Sequence, residues 1–328
     1  MTKVLEIVSS INIHIGMAIR IILMISTGLF SSNVWSTPYE ILLLKSSSSE
    51  IYTEVVSTVK SAIRLSCQQS QHNICTDLRF LTMSLDSEKT MIHDSSLTAD
   101  VIVTMGQSAA EYLAEQKIDK PVINSLIQKE YFDALGYVHK TRKTTSTYID
   151  QPPERVFKLA KTILGNDLVV GVLLGPGTQN HQKQYMDIFD SAGVDHQIAV
   201  IHSEDSIGPV LSGLLNKITV LLTVPDPFLY NRKTIFNILL ASYNSHVPVI
   251  GYSASYVKAG ALSAVYSSPE DIGKNIAEMV FDFIKNNNLP TPSYPKHFSV
   301  SVNQTVAHSL GLTTPSEQSL KKLLMESM

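Results

Sequence analysis

The residues able to do chemistry sit at the ends of short apolar runs. Ile218 to Val224 stops at Pro225-Asp226-Pro227. The two prolines fix φ and remove two backbone donors, so Asp226 is held in a stiff turn. A carboxylate held that way suits an ammonium group; the alternative is that Asp226 only caps the following helix. Val247 to Gly251 opens into Tyr252, Ser253 and Tyr256. With Tyr230 and Tyr266, these rings can cover an aromatic or apolar body, or attract a cation to their faces. Asp100 to Met105 runs into Gly106-Gln107-Ser108, where the first amides of a helix have no internal partner and can take a carboxylate. Ser46 and Ser47 follow the first strand, Gln128 the fourth, and Thr178 closes the loop Gly175-Pro176-Gly177-Thr178. Asn231 lies just past Asp226. These twelve positions, Ser46, Ser47, Gly106, Gln107, Ser108, Gln128, Thr178, Asp226, Asn231, Tyr252, Ser253 and Tyr256, form the expected ligand-binding set.

Catalytic signatures are absent from the sequence. There is no P-loop, no G-x-S-x-G elbow and no H-E-x-x-H pair. Gly175 and Gly177 are followed by Asn180 where the dinucleotide fingerprint needs a third glycine. The ten histidines are scattered, and the spacing of His181, His196 and His202 matches no metal signature. No cofactor and no metal are expected.

The elements that position these residues alternate. Fully apolar strands separated by helices indicate parallel sheets covered on both faces, with ligands outside the carboxyl ends of the strands. Strands are expected at 40–44, 78–83, 100–105, 121–126 and 145–149, which makes one α/β lobe. The stretch Asp150-Gln151-Pro152-Pro153-Glu154 breaks the pattern and starts a second series. That series has a helix at 153–164, a strand at 169–174, a helix near 180–191, a strand at 197–201 and a helix at 206–216. The runs at 218–224 and 247–251 follow, separated by a helix from about 231 to 243. Ser268-Pro269-Glu270-Asp271 signals a strong helix start, with Ile272, Ile276, Val280 and Phe283 on one face. A strand at 298–302 and a helix from about 304 complete the chain.

The 328 residues suit two lobes, and 44% hydrophobic against 17% charged residues supports a large core. A net charge of −3 without a basic block argues against nucleic acid. Residues 1–36 read as a cleavable signal peptide, with an uncleaved membrane anchor as the alternative. Arg20 precedes the apolar stretch Ile21 to Phe30, and Val34 and Ser36 suit a cleavage site before Thr37; Met17 offers a second start. No cysteine stands at the cleavage point, so the chain is expected to be soluble and periplasmic in a Gram-negative cell. Cys67 and Cys75 fit that oxidising space; a bridge between them contributes about 2.5 kcal/mol on the chain-entropy model, and two free thiols are the alternative.

TVPDP, VPVIGYSASYVKAGALSAVYSSPEDIG and SVNQTVAHSLGL resemble the ABC-transporter substrate-binding proteins whose studied members bind tryptophan or tyrosine. The resemblance covers most of the chain beyond the leader. It implies a type I periplasmic-binding-protein-like fold, α/β, with two Rossmann-like lobes on a hinge closing over a small ligand. It also implies that late elements recross, so that residues 37–149 plus about 255–290 form the first lobe and 150–254 plus about 298–328 the second. One departure stands out. Many members carry Asp-Pro after the fourth strand and then Gly-Gly-Asn-x-Thr-Gly, where this chain reads SLIQKEYFDALG and KTTSTYIDQPP. The expected role is the monomeric binding component of an importer, with a membrane permease as partner and a small molecule, such as an amino acid or aromatic zwitterion, as ligand. A sensor subunit serving a membrane kinase or receptor is the second expectation. An enzyme using Asp226 as acid or base is the third.

Overall fold

The computed structural model describes residues 38–70, 77–87, 89–116, 118–136 and 143–326. The expected leader, 1–36, lies outside them. So does Cys75, while Cys67 is buried and disulfide-bonded. Among the described residues no helix is long and apolar enough to cross a membrane.

The first sheet is built from β1 (Tyr39–Lys45), β2 (Leu78–Ser84), β3 (Val101–Met105), β4 (Val122–Ser125) and β5 (Thr144–Thr147). Its order is β2-β1-β3-β4-β5, all parallel. Ile41 to Leu44 are all fully buried, because a central parallel strand is covered on both faces and has no solvent side. The helices between these strands are α1 (Glu50–Ser70), α2 (Lys89–Thr98), α3 (Gln107–Gln116) and α4 (Lys129–Ala134).

The second series repeats this order. It comprises α5 (Pro153–Leu164), β6 (Val169–Leu174), α6 (Gln182–Ser191), β7 (Asp195–Val200), α7 (Ile207–Leu215), β8 (Val220–Leu222), α8 (Ile235–Asn244), β9 (Val249–Gly251), α9 (Ala254–Ala259) and β10 (Ser263–Tyr266). The sheet reads β7-β6-β8-β9-β10-β11, where β11 (Ser299–Val302) is antiparallel to β10. Two sheets of the same winding order make the α/β two-lobe architecture.

Between β10 and β11 the chain leaves the second lobe. Helix α10 (Pro269–Asn286) starts with the expected capping box of Ser268 and Asp271. Its Ile272, Ile276, Val280 and Phe283 share a core with Val55, Val59 and Ile63 of α1. The chain then returns through 287–298 to β11, α11 (Gln304–Ser309) and α12 (Glu317–Met325). Phe298, Val300, Ala307, Leu320 and Leu324 pack there with Val156 and Leu159 of α5.

Three details depart from expectation. The crossing into the first lobe falls at 267–268 and not near 255, because β10 pairs with β9 and β11 and stays in the second sheet. Helix α8 starts at Ile235 and not at 231. Asn231 instead holds a turn, donating to the Pro227 and Phe228 carbonyls and accepting from the Lys233 amide. The last helix is two helices, separated around Gly311, whose φ of +69° ends the first.

Candidate functional site

The lobes face each other across a cleft reached by the carboxyl ends of β4, β6, β8, β9 and β10. Two cavities adjoin there and share Gln128, Asp150, Gln151, Tyr185 and Pro225. The larger, about 290 Å³, is walled mainly by Ile149, Val156, Tyr252, Tyr266 and Pro225, with Thr223, Ser253 and Ser267 supplying hydroxyls. The smaller, about 110 Å³, is more polar and adds Glu130, Thr178, His181, Gln184 and Tyr294. Wider grooves of about 530 and 810 Å³ lie on the second lobe, but each is lined by that lobe alone. Only a molecule touching both lobes gains from bringing them together, so the cleft is the candidate site.

Asp150 dominates its electrostatics. It lies on the first crossing, between β5 and α5, and its Oδ1 accepts the Lys129 amide at 3.0 Å. Burial, and then the nearby Glu130 carboxylate, push its carboxyl up to about 7. Glu130 stands at the rim, 3.2 Å from the His181 imidazole of the opposite lobe. Gln128 Nε2 also reaches across, to the Pro225 carbonyl at 3.4 Å. Burial raises the phenols of Tyr185, Tyr252 and Tyr294, and that of Tyr148 to about 12, so these rings remain neutral donors. The Tyr252 and Tyr256 hydroxyls are 2.6 Å apart, and Tyr256 donates to the Tyr230 carbonyl at 2.7 Å. That chain fixes the Tyr252 ring against the cavity wall.

Of the twelve expected residues, Gln128, Thr178, Tyr252 and Ser253 line the cavities. Asp226 does not. It is 1% exposed; its Oδ2 accepts from the Thr178 hydroxyl at 2.8 Å and its Oδ1 from the Phe228 amide at 2.9 Å. Thr178 in turn accepts the Gly175 amide at 3.0 Å. A Cβ on Gly175 would stand 2.6 Å from Asp226 Oδ2, so the glycine is what lets the carboxylate enter. Asp226 therefore welds its own turn to the 175–178 loop, closer to the capping alternative than to an ammonium site. Asn231 serves the same turn.

In the first lobe, Ser46 Oγ accepts the Ala109 amide at 3.0 Å and so caps α3 from outside. Gly106 has φ of +92°, and a Cβ there would meet Ser46 Oγ at 2.6 Å. Gln107 and Ser108 are exposed on the first turn of α3. Ser46, Ser47, Gly106, Gln107, Ser108 and Tyr256 line neither cavity. Among the described residues, no group of three or more His, Cys, Asp or Glu side chains converges to hold a metal ion.

Sequence reasoning passed over Glu130, Asp150, Gln151, His181, Tyr185 and Tyr294 as cleft residues. The available signal was the break at 150–154, which marks a lobe junction. Gln151 also belongs to a clasp joining all three crossings. Its Nε2 donates to Ser267 Oγ at 2.9 Å, and its Oε1 accepts from Arg155. Arg155 Nη1 donates to the Pro295 carbonyl at 2.9 Å, and the guanidinium lies 4.2 Å from the centroid of the Phe298 ring. Burial lowers the guanidinium to about 10, which leaves it charged at neutral pH. On the far side, Asn275 accepts the Lys296 and His297 amides at 2.9 Å each.

A model of the family described as ABC transporter substrate binding protein matches residues 89–323. No curated protein sequence matches the chain. Among solved structures, the fold is similar to a ligand-free, open substrate-binding protein with adhesive properties from Clostridium difficile. That match has a TM-score of 0.68 and 15% identity over 85% of this chain and 97% of the other. An ABC domain from Streptococcus pneumonia in complex with L-Trp gives 0.54 and 17%, over 87% and 98%. A periplasmic ribose ABC transporter protein from Conexibacter woesei gives 0.51 and 11%, over 87% and 97%.

Proposed function

Because the chain belongs to the family of ABC transporter substrate-binding proteins, we propose that it is the extracytoplasmic binding component of an importer. It holds a small molecule between its lobes and presents the closed form to a membrane permease. The observation that carries this reading is the inter-lobe cleft, where cavity walls come from both lobes: Gln128 and Ile149 from the first, Tyr185, Pro225 and Tyr252 from the second. A ligand there shifts the population toward closure by its differential affinity for the closed form. The role is capture, and the cleft residues act as recognition groups. The export leader and the periplasm belong to the same reading.

Thermal unfolding of the chain from Thr37 onward, screened against amino acids, amines, sugars, nucleobases and short peptides, is the test. A ligand at a hundredfold excess over its Kd adds about 2.7 kcal/mol of stability. Tyr252→Ala is expected to abolish the shift without unfolding the protein. A shift in the parent chain that Tyr252→Ala and Gln128→Ala both leave intact would move the site out of the cleft. Recovery of a kinase ectodomain and no permease from solubilised membranes would sink the importer role.

A further inference from the structure

On the reading that the inter-lobe cleft holds the ligand, we propose that this ligand is an organic ammonium ion with an apolar or aromatic body and no carboxylate. The larger cavity supplies a surface for the body, chiefly Tyr252, Tyr266, Val156 and Pro225. The adjoining cavity supplies two carboxylates, Asp150 and Glu130, and its described lining holds no lysine or arginine. The one imidazole there, His181, already faces Glu130 at 3.2 Å.

A zwitterion needs a donor set for its own carboxylate, and the described linings of both cavities offer it neutral donors with no lysine or arginine. The Gln151 carboxamide is bonded to Ser267 and Arg155. The amide of Ala109 in the first turn of α3 is bonded to Ser46, and that turn lines neither cavity. Asp150 retains acceptor capacity, because a carboxylate offers about four acceptor sites and the amides of Lys129 and Asp150 are the backbone donors to it. Tyrosine faces add attraction for a cation, stronger when water is excluded.

A bound cation also relieves Asp150. Its carboxyl sits high because burial and Glu130 disfavour the charge. An ammonium ion selects the ionised form, so binding releases a proton from Asp150 wherever that group is protonated. The groups around Asp150 are Glu130 and Lys129 of α4, Tyr185 of α6, and Tyr148 and Tyr294 on the crossings. Lys129 and the three tyrosines are raised and keep their protons between pH 6 and 8. His181 faces Glu130 across the rim, so its contribution is separated from that of Asp150 by substitution.

The test is calorimetry on the chain from Thr37 with four probes of one shape: tryptamine, tryptophan, indole-3-ethanol and indole-3-acetate. Choline and putrescine serve as aliphatic cations, and ribose and a dipeptide as unrelated controls. One or more of the three cations is expected to bind at pH 8 at least about tenfold more tightly than any zwitterion, neutral compound or anion. With a carboxyl near 7, affinity falls about tenfold from pH 8 to pH 6. Asp150→Asn, which keeps the acceptor for Lys129, is expected to weaken cation binding about tenfold or more and to remove that slope. His181→Gln is expected to leave the slope in place. Should Asp150→Asn fail to fold, Glu130→Gln, on the exposed rim, is expected to weaken cation binding about threefold, and the wild-type slope remains the readout. Preferential binding of a zwitterion, neutral compound or anion overturns the proposal and leaves the binding role standing. Cation binding with the same affinity in Asp150→Asn, or at pH 6 and pH 8, overturns the assignment of Asp150. No binding by any of the cations overturns the proposal, while the cleft as the ligand site is decided separately by the thermal shifts of Tyr252→Ala and Gln128→Ala.

Discussion

Replacing Asp226 by alanine separates a structural carboxylate from a ligand-binding one. In the structure the side chain is 1% exposed and accepts two hydrogen bonds, from Thr178 at 2.8 Å and Phe228 at 2.9 Å. Hydrogen bonds to a charged group contribute about 1.5–3 kcal/mol each, and deletion leaves buried donors without partners. The Asp226→Ala chain should therefore lose about 3–5 kcal/mol, a large share of the 5–15 kcal/mol typical of a whole protein. Asp226→Asn keeps one acceptor for the Phe228 amide, and the Thr178 hydroxyl can turn to the Gly175 carbonyl, 3.5 Å away. Its cost should be nearer 1 kcal/mol. Urea unfolding followed by far-UV circular dichroism measures both, provided the slope m stays constant between variants. Ligand affinity of the folded Asp226→Asn chain should match the parent within about threefold, since the carboxylate lines neither cavity. An alanine variant within about 0.5 kcal/mol of the parent would refute the reasoning. So would an asparagine variant of unchanged stability that no longer binds.

Two further outcomes follow from the crossings. Arg155→Met removes the donor to Gln151 and Pro295 while keeping an apolar stem over Phe298, and it leaves the Pro295 carbonyl without that partner. It is expected to cost about 1–3 kcal/mol and to widen the distribution of lobe separations seen by small-angle scattering; an unchanged distribution would remove the clasp from the hinge. Asp150 has a folded pKa of about 7, above its ordinary value, so the native state holds the extra proton between roughly pH 4 and 7. Ligand-free stability should fall as pH rises through that window, and Asp150→Asn should flatten the fall in urea titrations at pH 5 and pH 8.

The strands and their order of appearance could be read from residue types because each is a local property. Val169 to Leu174 is an unbroken apolar run, and the observed strand has those bounds. The capping box at Ser268 and Asp271 likewise lies within four residues. The pairing of β10 with β11 is not local. Ser263-Ala264-Val265-Tyr266 is short and begins with a serine, and only its two neighbours make it a strand. The cleft was less legible for the same reason. Asp226 between two prolines has the same local appearance whether it faces a ligand or Thr178. Asp150 and Gln151 look like a linker until Lys129, Ser267 and Arg155 are brought beside them.

The covering of α1 by α10 constrains the order in which the molecule can be made. The face of α1 that carries Val55, Val59 and Ile63 is closed by residues 272 to 284, more than two hundred positions later. A nascent chain that has exposed only its first sheet can cover that face with Ile41, Leu43, Val101 and Val103 but leaves its α10 side open to water. The core of the first lobe is complete only once the C-terminal fifth of the polypeptide has been made. A fragment ending at β5 should accordingly remain aggregation-prone, and a separately supplied α10 peptide should rescue it. Late closure of this kind also keeps a newly made chain in a threadable state for as long as its tail is unfinished.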